Sequence, residues 1–316
     1  MVIPLTRRQG GPGGYSIVKV DKDEIMKDEC PSVTIGLPVF NAEATLRSAV
    51  RSIIAQTYTD WTLLLLDDGS NDASHEIAKS FKDDRIIALS DGKNRGISSR
   101  LNQAVAMAKG KYFCRMDADD IAFPDRINKQ VTFLEHHPNV DVVASSIAYF
   151  RNDGNLYGVW QVPESHSEIC RHPWQGFPLT HPTWLGKSSW FKAHPYTSKA
   201  DGAEDQLVLY RAYRESSFAG IPEVLLGYRE ERRFFKKMFG RRNVFWQAIA
   251  GHAIKSGQWR DVFLISLIQP LKIIADFLNT ELGVDFMRSR VNAPDPSIKA
   301  AWQELWEKLH RSDSPN

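Results

Sequence analysis

The sequence predicts an α/β fold, a mostly parallel sheet flanked by helices, followed by a helical C-terminal extension. Three observations carry this. Short apolar, β-branched runs alternate with helix-length segments from residue 31 to about residue 150. Alternation at that spacing gives a parallel sheet covered on both faces. Polar or acidic clusters stand where successive strands end, the rim at which ligands bind in such sheets. From Arg229 onward, basic, aromatic and apolar residues interleave at helical spacing.

Residues 1–30 read as a flexible tail. Gly10, Gly11, Gly13 and Gly14 surround Pro12, and a charged stretch over 19–29 follows. Few side chains there could join a core. Residues 33–39 form a buried strand. Asn41 suits the N-cap of a helix over 42–56. A strand over 62–66 ends in Asp67-Asp68-Gly69-Ser70, and a helix over 72–81 follows. Residues 85–89 form the third strand, and 97–108 the third helix, closed by Gly110. Residues 111–116 form a fourth strand that runs into Asp117-Ala118-Asp119-Asp120. Pro124 suits the first turn of a helix reaching about residue 136, because its fixed φ is helical. Residues 140–150 form another strand. The fold thus brings Phe40-Asn41, Asp67-Asp68 and Asp117 to Asp120 to one rim.

Hydrophobic residues make up 42% of the chain and charged residues 25%, so a packed core is expected. The net charge of +2, from 40 basic and 38 acidic residues, excludes a typical nucleic-acid binder. The three cysteines, Cys30, Cys114 and Cys170, are far apart and form no CxxC pair. Neither a zinc site nor a disulfide framework is expected. The first residues, MVIPLTRRQGGPGGYS, contain no apolar run of signal-peptide length. A cytoplasmic location is expected.

Asp117, Asp119 and Asp120 place three carboxylates within four residues at a strand end. They repel one another unless something positive sits among them. A hard divalent cation does this, using one or two carboxylates plus substrate phosphates. The competing reading is a solvated acidic turn, since turns favour Asp; the preceding apolar strand argues against it. Asp67-Asp68-Gly69-Ser70 is also turn-like, and a carboxylate there could accept hydrogen bonds from a base or ribose.

Together these segments resemble family 2 glycosyltransferases, which have the GT-A fold. The residues are Leu37-Pro38-Val39-Phe40-Asn41-Ala42-Glu43, Asp67-Asp68-Gly69-Ser70-Asn71-Asp72, Asn94-Arg95-Gly96-Ile97 with Arg100-Leu101-Asn102, and Asp117-Ala118-Asp119-Asp120. The resemblance spans about 33–229 and implies a catalytic domain over 31–230, with a helical extension over 231–316. It implies donor-binding roles for Pro38, Phe40, Asn41, Glu43, Asp68, Asp117 and Ala118, around the nucleobase, ribose and nucleoside. It implies Asp119 as ligand of Mn²⁺ or Mg²⁺, and Arg95 and Arg100 as donor contacts; a solvated helix face is the competing reading of both arginines.

His181-Pro182-Thr183-Trp184 and Gly202-Ala203-Glu204-Asp205-Gln206-Leu207 resemble the family's acceptor side. Inverting transfer needs a general base for the acceptor proton. By resemblance Asp205 is that base, Glu204 orients the acceptor, and His181 contacts phosphate or acceptor. An acidic helix start is the bland alternative for Glu204-Asp205. Leu207 and Gly186 stand where many relatives carry Asp and Arg, which leaves acceptor recognition open. The Gln-x-x-Arg-Trp motif of processive synthases is absent, so transfer of a single sugar is expected. A UDP-sugar is the favoured donor and a carbohydrate or lipid-linked hydroxyl the acceptor.

Beyond the sheet, Arg229, Arg232, Arg233, Lys236, Lys237, Arg241 and Arg242 interleave with Phe234, Phe235, Met238, Phe239, Phe245 and Trp246. The segment 229–246 suits an anionic membrane surface, which predicts peripheral attachment to the inner face of the cytoplasmic membrane. A packed helix or a homodimer interface competes with that. Residues 262–278 fall short of a clean spanning helix and read as one or two core or interfacial helices. Residues 298–310 read as an amphipathic helix with Trp302 and Trp306. Two other functions fit the same layout. One is a nucleotide-sugar-forming nucleotidyltransferase, although the loop after the first strand lacks the Gly and Lys of a triphosphate loop. The other is a non-catalytic scaffold that binds nucleotide sugar.

Overall fold

The computed structural model describes residues 32–230, 235–282 and 291–311. The tail expected over 1–30 lies outside the described residues, as do Arg232, Arg233 and Phe234. Strands β1 (Val33–Val39), β2 (Trp61–Asp67), β3 (Ile86–Ser90) and β4 (Tyr112–Arg115) run parallel in the order β3-β2-β1-β4. Between them lie α1 (Leu46–Ile54), α2 (Ser74–Ser80) and α3 (Ile97–Met107). The continuous leucines of β2 reflect burial on both faces. Leu63 and Leu65 pack with α1, while Leu64 and Leu66 pack with Leu101, Ala104 and Val105 of α3.

After β4 the chain makes β5 (Ile121–Ala122), α4 (Arg126–His136), β6 (Val142–Phe150), β7 (Leu156–Trp160) and α5 (His166–Ile169). It continues through β8 (Leu185–Lys187), α6 (Ser188–Ala193), α7 (Glu204–Ala212) and β9 (Phe218–Arg229). Beyond β4 the sheet continues β8-β6-β9-β5, with β7 also on β6. β6 and β9 are parallel, whereas β8, β7 and β5 pair antiparallel with their neighbours. The expected parallel sheet is thus extended into a mixed one.

Two local expectations are corrected. Asn41 does not cap α1; Thr45 precedes the helix, which starts at Leu46. Asn41 instead sits at φ 49, a left-handed conformation that Asn tolerates. The amides that would have opened an earlier helix are engaged elsewhere: Ala42 N–H donates to Ser74 Oγ and Glu43 N–H to Asp72 Oδ2. Pro124 lies in the turn before α4, and Asp125 holds the cap position.

The extension packs onto the sheet domain. Helices α8 (Phe235–Lys255) and α9 (Trp259–Leu282) form a hairpin, and Ile249, Ala253 and Ile265 bury against the α3 side of the core. The segment 262–278 lies in the single helix α9, with Pro270 inside it. Helix α10 (Pro296–His310) buries Trp302, Leu305 and Leu309 against Ile121, Phe123 and Phe150. Trp302 fits only because β9 has glycine below it: a Cβ on Gly227 would stand 2.2 Å from the indole. Gly154, at φ +83, seats Trp306 in the same way, with an added Cβ 2.4 Å from its ring. Among the described residues no helix is long and apolar enough to cross a membrane.

Candidate active site

The loops that leave β1 and β2 are cross-stitched. Asn41 N–H donates to Ser70 Oγ, Asn71 N–H to Asn41 Oδ1, and Ala73 N–H to Glu43 Oε2. Asp68 is buried and accepts from Arg95 N–H at 2.7 Å, Gly96 N–H at 3.0 Å and Arg100 Nε at 2.8 Å. Arg100 is buried too, and also donates to Asp91, Gln103 Oε1 and the Lys93 carbonyl. Arg100 and Arg95 hold the Asp91 carboxyl well below the usual carboxylate range. Asp68, Arg95 and Arg100 therefore fix the α3 entry loop by protein–protein contacts.

At the end of β4, Arg115 is buried and grips Asp117 with both terminal nitrogens, at 2.6 and 2.5 Å. Asp117, Asp119 and Asp120 offer oxygens within 4.8 Å of one another. Burial, then the charge of Asp117, pushes the Asp119 carboxyl up to about 6. Burial, then Asp119, pushes Asp120 well above its ordinary range. Asp120 Oδ1 accepts from Arg229 N–H at 2.9 Å, while its buried Oδ2 has no partner. Oxygen donors that are crowded, desolvated and partly orphaned fit a hard divalent cation. Arg229 steadies this loop, donating also to the Asp119 carbonyl and to Asn152. It is buried over the Phe150 ring, so it is corrected from the membrane-facing basic set.

The second block comes from the turn before β8 and the start of α7. His181 opens a 3₁₀ turn, His181–Thr183, and lies 3.0 Å from Tyr196 Oη and 3.7 Å from Glu204 Oε1. Burial, reinforced by Arg115, holds the His181 pKa well below its usual value, so the ring is neutral. Glu204 begins α7 and accepts from Gly202 N–H at 2.6 Å. Burial and then the neighbouring Asp205 push the Glu204 carboxyl up to about 7, and burial raises Asp205 as well. Asp205 Oδ2 accepts from Gln206 Nε2 at 3.0 Å. Ser98 of α3 donates to Asp201, which ties the donor-side loop to this block.

Both blocks face one cavity of about 750 Å³. Phe40, Asp117, Asp119, His181, Glu204 and Asp205 line it, as does Arg115. Pro38, Asn41, Glu43, Asp68, Arg95 and Arg100 are not among its lining residues, and Ala118 is buried behind the acidic loop. At the two departures from the acceptor pattern, Leu207 packs in the core and Gly186 lies in β8. Sequence reasoning gave no site role to Arg115 or Tyr196, and it placed Arg241, which lines this cavity, in the membrane-facing basic set. Only Arg115 left a signal, a charged residue ending an apolar strand beside the acidic run.

A family model described as glycosyl transferase family 2 matches residues 34–194, just over half of the chain. The chain belongs to this family. The glycosyltransferase is 31% identical over 215 residues to the putative glycosyltransferase EpsE of Bacillus subtilis, covering 66% of this chain and 76% of that one. In fold it is similar to the mannosyltransferase PcManGT of Pyrobaculum calidifontis, solved in complex with GDP-Man and Mn²⁺ (TM-score 0.54, 15% identity, 90% and 88% of the two chains). It is also similar to TarS of S. aureus in complex with UDP (TM-score 0.52, 16% identity, 89% and 90%). The family match ends before Glu204 and Asp205; the cavity joins them to the matched part of the glycosyltransferase.

Proposed function

We propose that this glycosyltransferase moves a single sugar from a nucleoside diphosphate sugar, with a UDP-sugar favoured, to a hydroxyl of a carbohydrate or lipid-linked acceptor. Transfer inverts the anomeric centre and serves surface polysaccharide or glycoconjugate synthesis, on the cytoplasmic side where nucleotide sugars are made. The observation that carries this reading is the single cavity with Asp117 and Asp119 on one wall, Glu204 and Asp205 on another, and Arg115 between them. Complexes of the structural neighbours with UDP and with GDP-Man and Mn²⁺ support a donor of this class.

Phe40 offers an exposed ring on which a base can stack. Asp68 and Arg100 hold the neighbouring loop, and Arg115 fixes Asp117 toward the nucleoside. Asp119, with Asp117 beside it, would hold Mn²⁺ or Mg²⁺, which when bound supplies charge that offsets the leaving diphosphate. Asp205 takes the acceptor proton as the hydroxyl attacks the anomeric carbon, and the bond to the diphosphate breaks on the opposite side. Its raised pKa makes it a stronger base than an exposed aspartate. Glu204, held by Gly202 N–H, orients the acceptor.

Asp205→Asn tests the assignment, because an amide keeps the Gln206 hydrogen bond and loses the base. Transfer is expected to fall about 10²–10⁴-fold, while the thermal shift produced by UDP plus Mn²⁺ is retained. Near wild-type turnover would sink the base assignment. Pyrophosphate release from a nucleoside triphosphate and a sugar phosphate would favour a nucleotidyltransferase. Donor binding without any turnover would favour a scaffold.

A further inference from the structure

Helix α9 turns polar groups inward beside Ile265 and an apolar stripe outward, whereas an ordinary surface helix exposes its polar side. Toward the protein it turns Asp261, Gln269 and Asp276, all buried. Tyr210 Oη donates to Asp261 at 2.7 Å, and Arg242 pairs with both oxygens of Asp276. Away from the protein it presents Trp259, Phe263, Leu267, Leu271, Ile274 and Leu282, each more than half exposed. They recur every three to eight residues along one side of a 24-residue helix, and the charge-free part from Phe263 to Phe277, flanked by exposed Arg260 and Glu281, is a stripe about 21 Å long. Between Phe263 and Phe277 this face carries no charge: Ser266 and Pro270 are its remaining exposed positions. An apolar strip so long and unbroken marks an interaction surface rather than scattered surface residues.

Charge chooses the occupant. Helix α8, the other arm of the hairpin, contains Lys236, Lys237, Arg241, Arg242 and Lys255 and no acidic residue. Lys236, Lys237 and Lys255 are exposed, as is Arg260 at the start of α9, while Arg241 lines the active-site cavity. A second copy docked across a two-fold axis would bring up a second α8 that also carries cations and no acidic residue. An anionic lipid surface meets them with opposite charge and offers the apolar stripe a matching layer beneath. No crossing of the bilayer is needed, consistent with the lack of a spanning helix among the described residues.

We propose that α9 lies in the plane of an anionic membrane, its outward stripe sunk at the headgroup boundary and the lysines of α8 over lipid phosphates. The insertion falls on α9, not on the segment 229–246, where Phe245 and Trp246 pack inward on the core. A cavity of about 650 Å³ shares Phe177, Pro178 and Gly202 with the active site and is walled by Arg241 of α8 and Gln269 and Lys272 of α9. A membrane-anchored acceptor would reach the active site along it.

Flotation of the full chain with phosphatidylcholine vesicles, with and without phosphatidylglycerol, tests the proposal. Wild type should float with the anionic vesicles at low salt and be released as salt rises. Phe263→Gln/Leu267→Gln/Leu271→Gln should weaken partitioning by at least about a hundredfold. Lys236→Gln/Lys237→Gln should weaken it about fivefold per charge. Circular dichroism checks folding; if the triple variant is unfolded, Phe263→Gln and Leu271→Gln singly carry the test. No flotation of wild type, or flotation indifferent to the stripe substitutions, overturns the proposal. So does a wild-type dimer that the triple variant converts to a monomer without any vesicle binding.

Discussion

Replacing Arg115 with methionine removes a buried cation that both acidic groups of the cavity share. The side chain is 4% exposed and its partner Asp117 27%. Breaking a buried ion pair costs ~3–5 kcal/mol. Water reaches Asp117, so the low end, about 3 kcal/mol, applies. At roughly 2–4 °C per kcal/mol for a domain of this size, the midpoint of thermal unfolding should fall by about 6–12 °C. A second effect separates this from general damage. The Arg115 charge lowers the carboxyl pKa of Glu204 and of Asp205 against the burial that raises them. Without it both rise further, and the acid limb of the transfer rate, which follows ionisation of the base Asp205, moves to higher pH. Glu204 is held above its unfolded value, so the folded state binds the extra proton. Its contribution favours folding at low pH and is lost as pH rises toward about 7. In the variant that loss extends to higher pH. Arg115→Lys keeps the charge but not the two-pronged grip, so it should restore the pH limb and only part of the stability. Differential scanning fluorimetry and a pH–rate profile of nucleoside diphosphate release read both effects. An unchanged midpoint and limb in Arg115→Met, or a limb displaced equally in Arg115→Lys, would refute the shared-cation argument.

Two further outcomes follow from the same geometry. Chelation should abolish transfer, Mn²⁺ or Mg²⁺ should restore it, and Asp119→Asn should lose the metal-dependent part of the UDP thermal shift; metal-independent turnover would contradict the reading of the acidic cluster. Trp302→Ala should cost ~3–5 kcal/mol, because the indole is 3% exposed and packs against Phe123 and Phe150; an unfolding midpoint equal to wild type would show that α10 contributes little to the fold.

The first half of the sheet was legible because its strands are apolar on both faces and its helices keep an apolar stripe. Of the second half, β6 and the helix before it were legible and the remaining strands were not. β9 contains Gly220, Pro222 and Gly227, residues that weaken a strand pattern, yet it pairs with β6 along its length through register shifts at Ser145 and Ser146. β8 has only three residues and declares itself solely by pairing with β4 and β6. At the candidate site the acidic residues stood out because strand ends concentrate them. What escaped was the role of residues that join elements distant in sequence. Arg115 reaches both carboxylate groups, Arg229 ties Asp120 to the end of β9, and Arg100 turns inward onto Asp68 instead of facing solvent. Pairing over such separations leaves no periodicity to read. The Asn41 loop failed for the opposite reason: a good capping residue was diverted by stronger local partners on the next loop.

A methyl group at Gly227 or Gly154 would collide with an indole, and a small residue in place of Trp302 or Trp306 would leave a hole where the ring lay. Neither member of either couple can change first without loss. Lineages that keep the terminal helix should therefore inherit glycine and tryptophan together at these positions. Lineages that have shed the helix should be released to place ordinary side chains at both glycines. Tabulating the two couples across relatives would show whether glycine and tryptophan travel together.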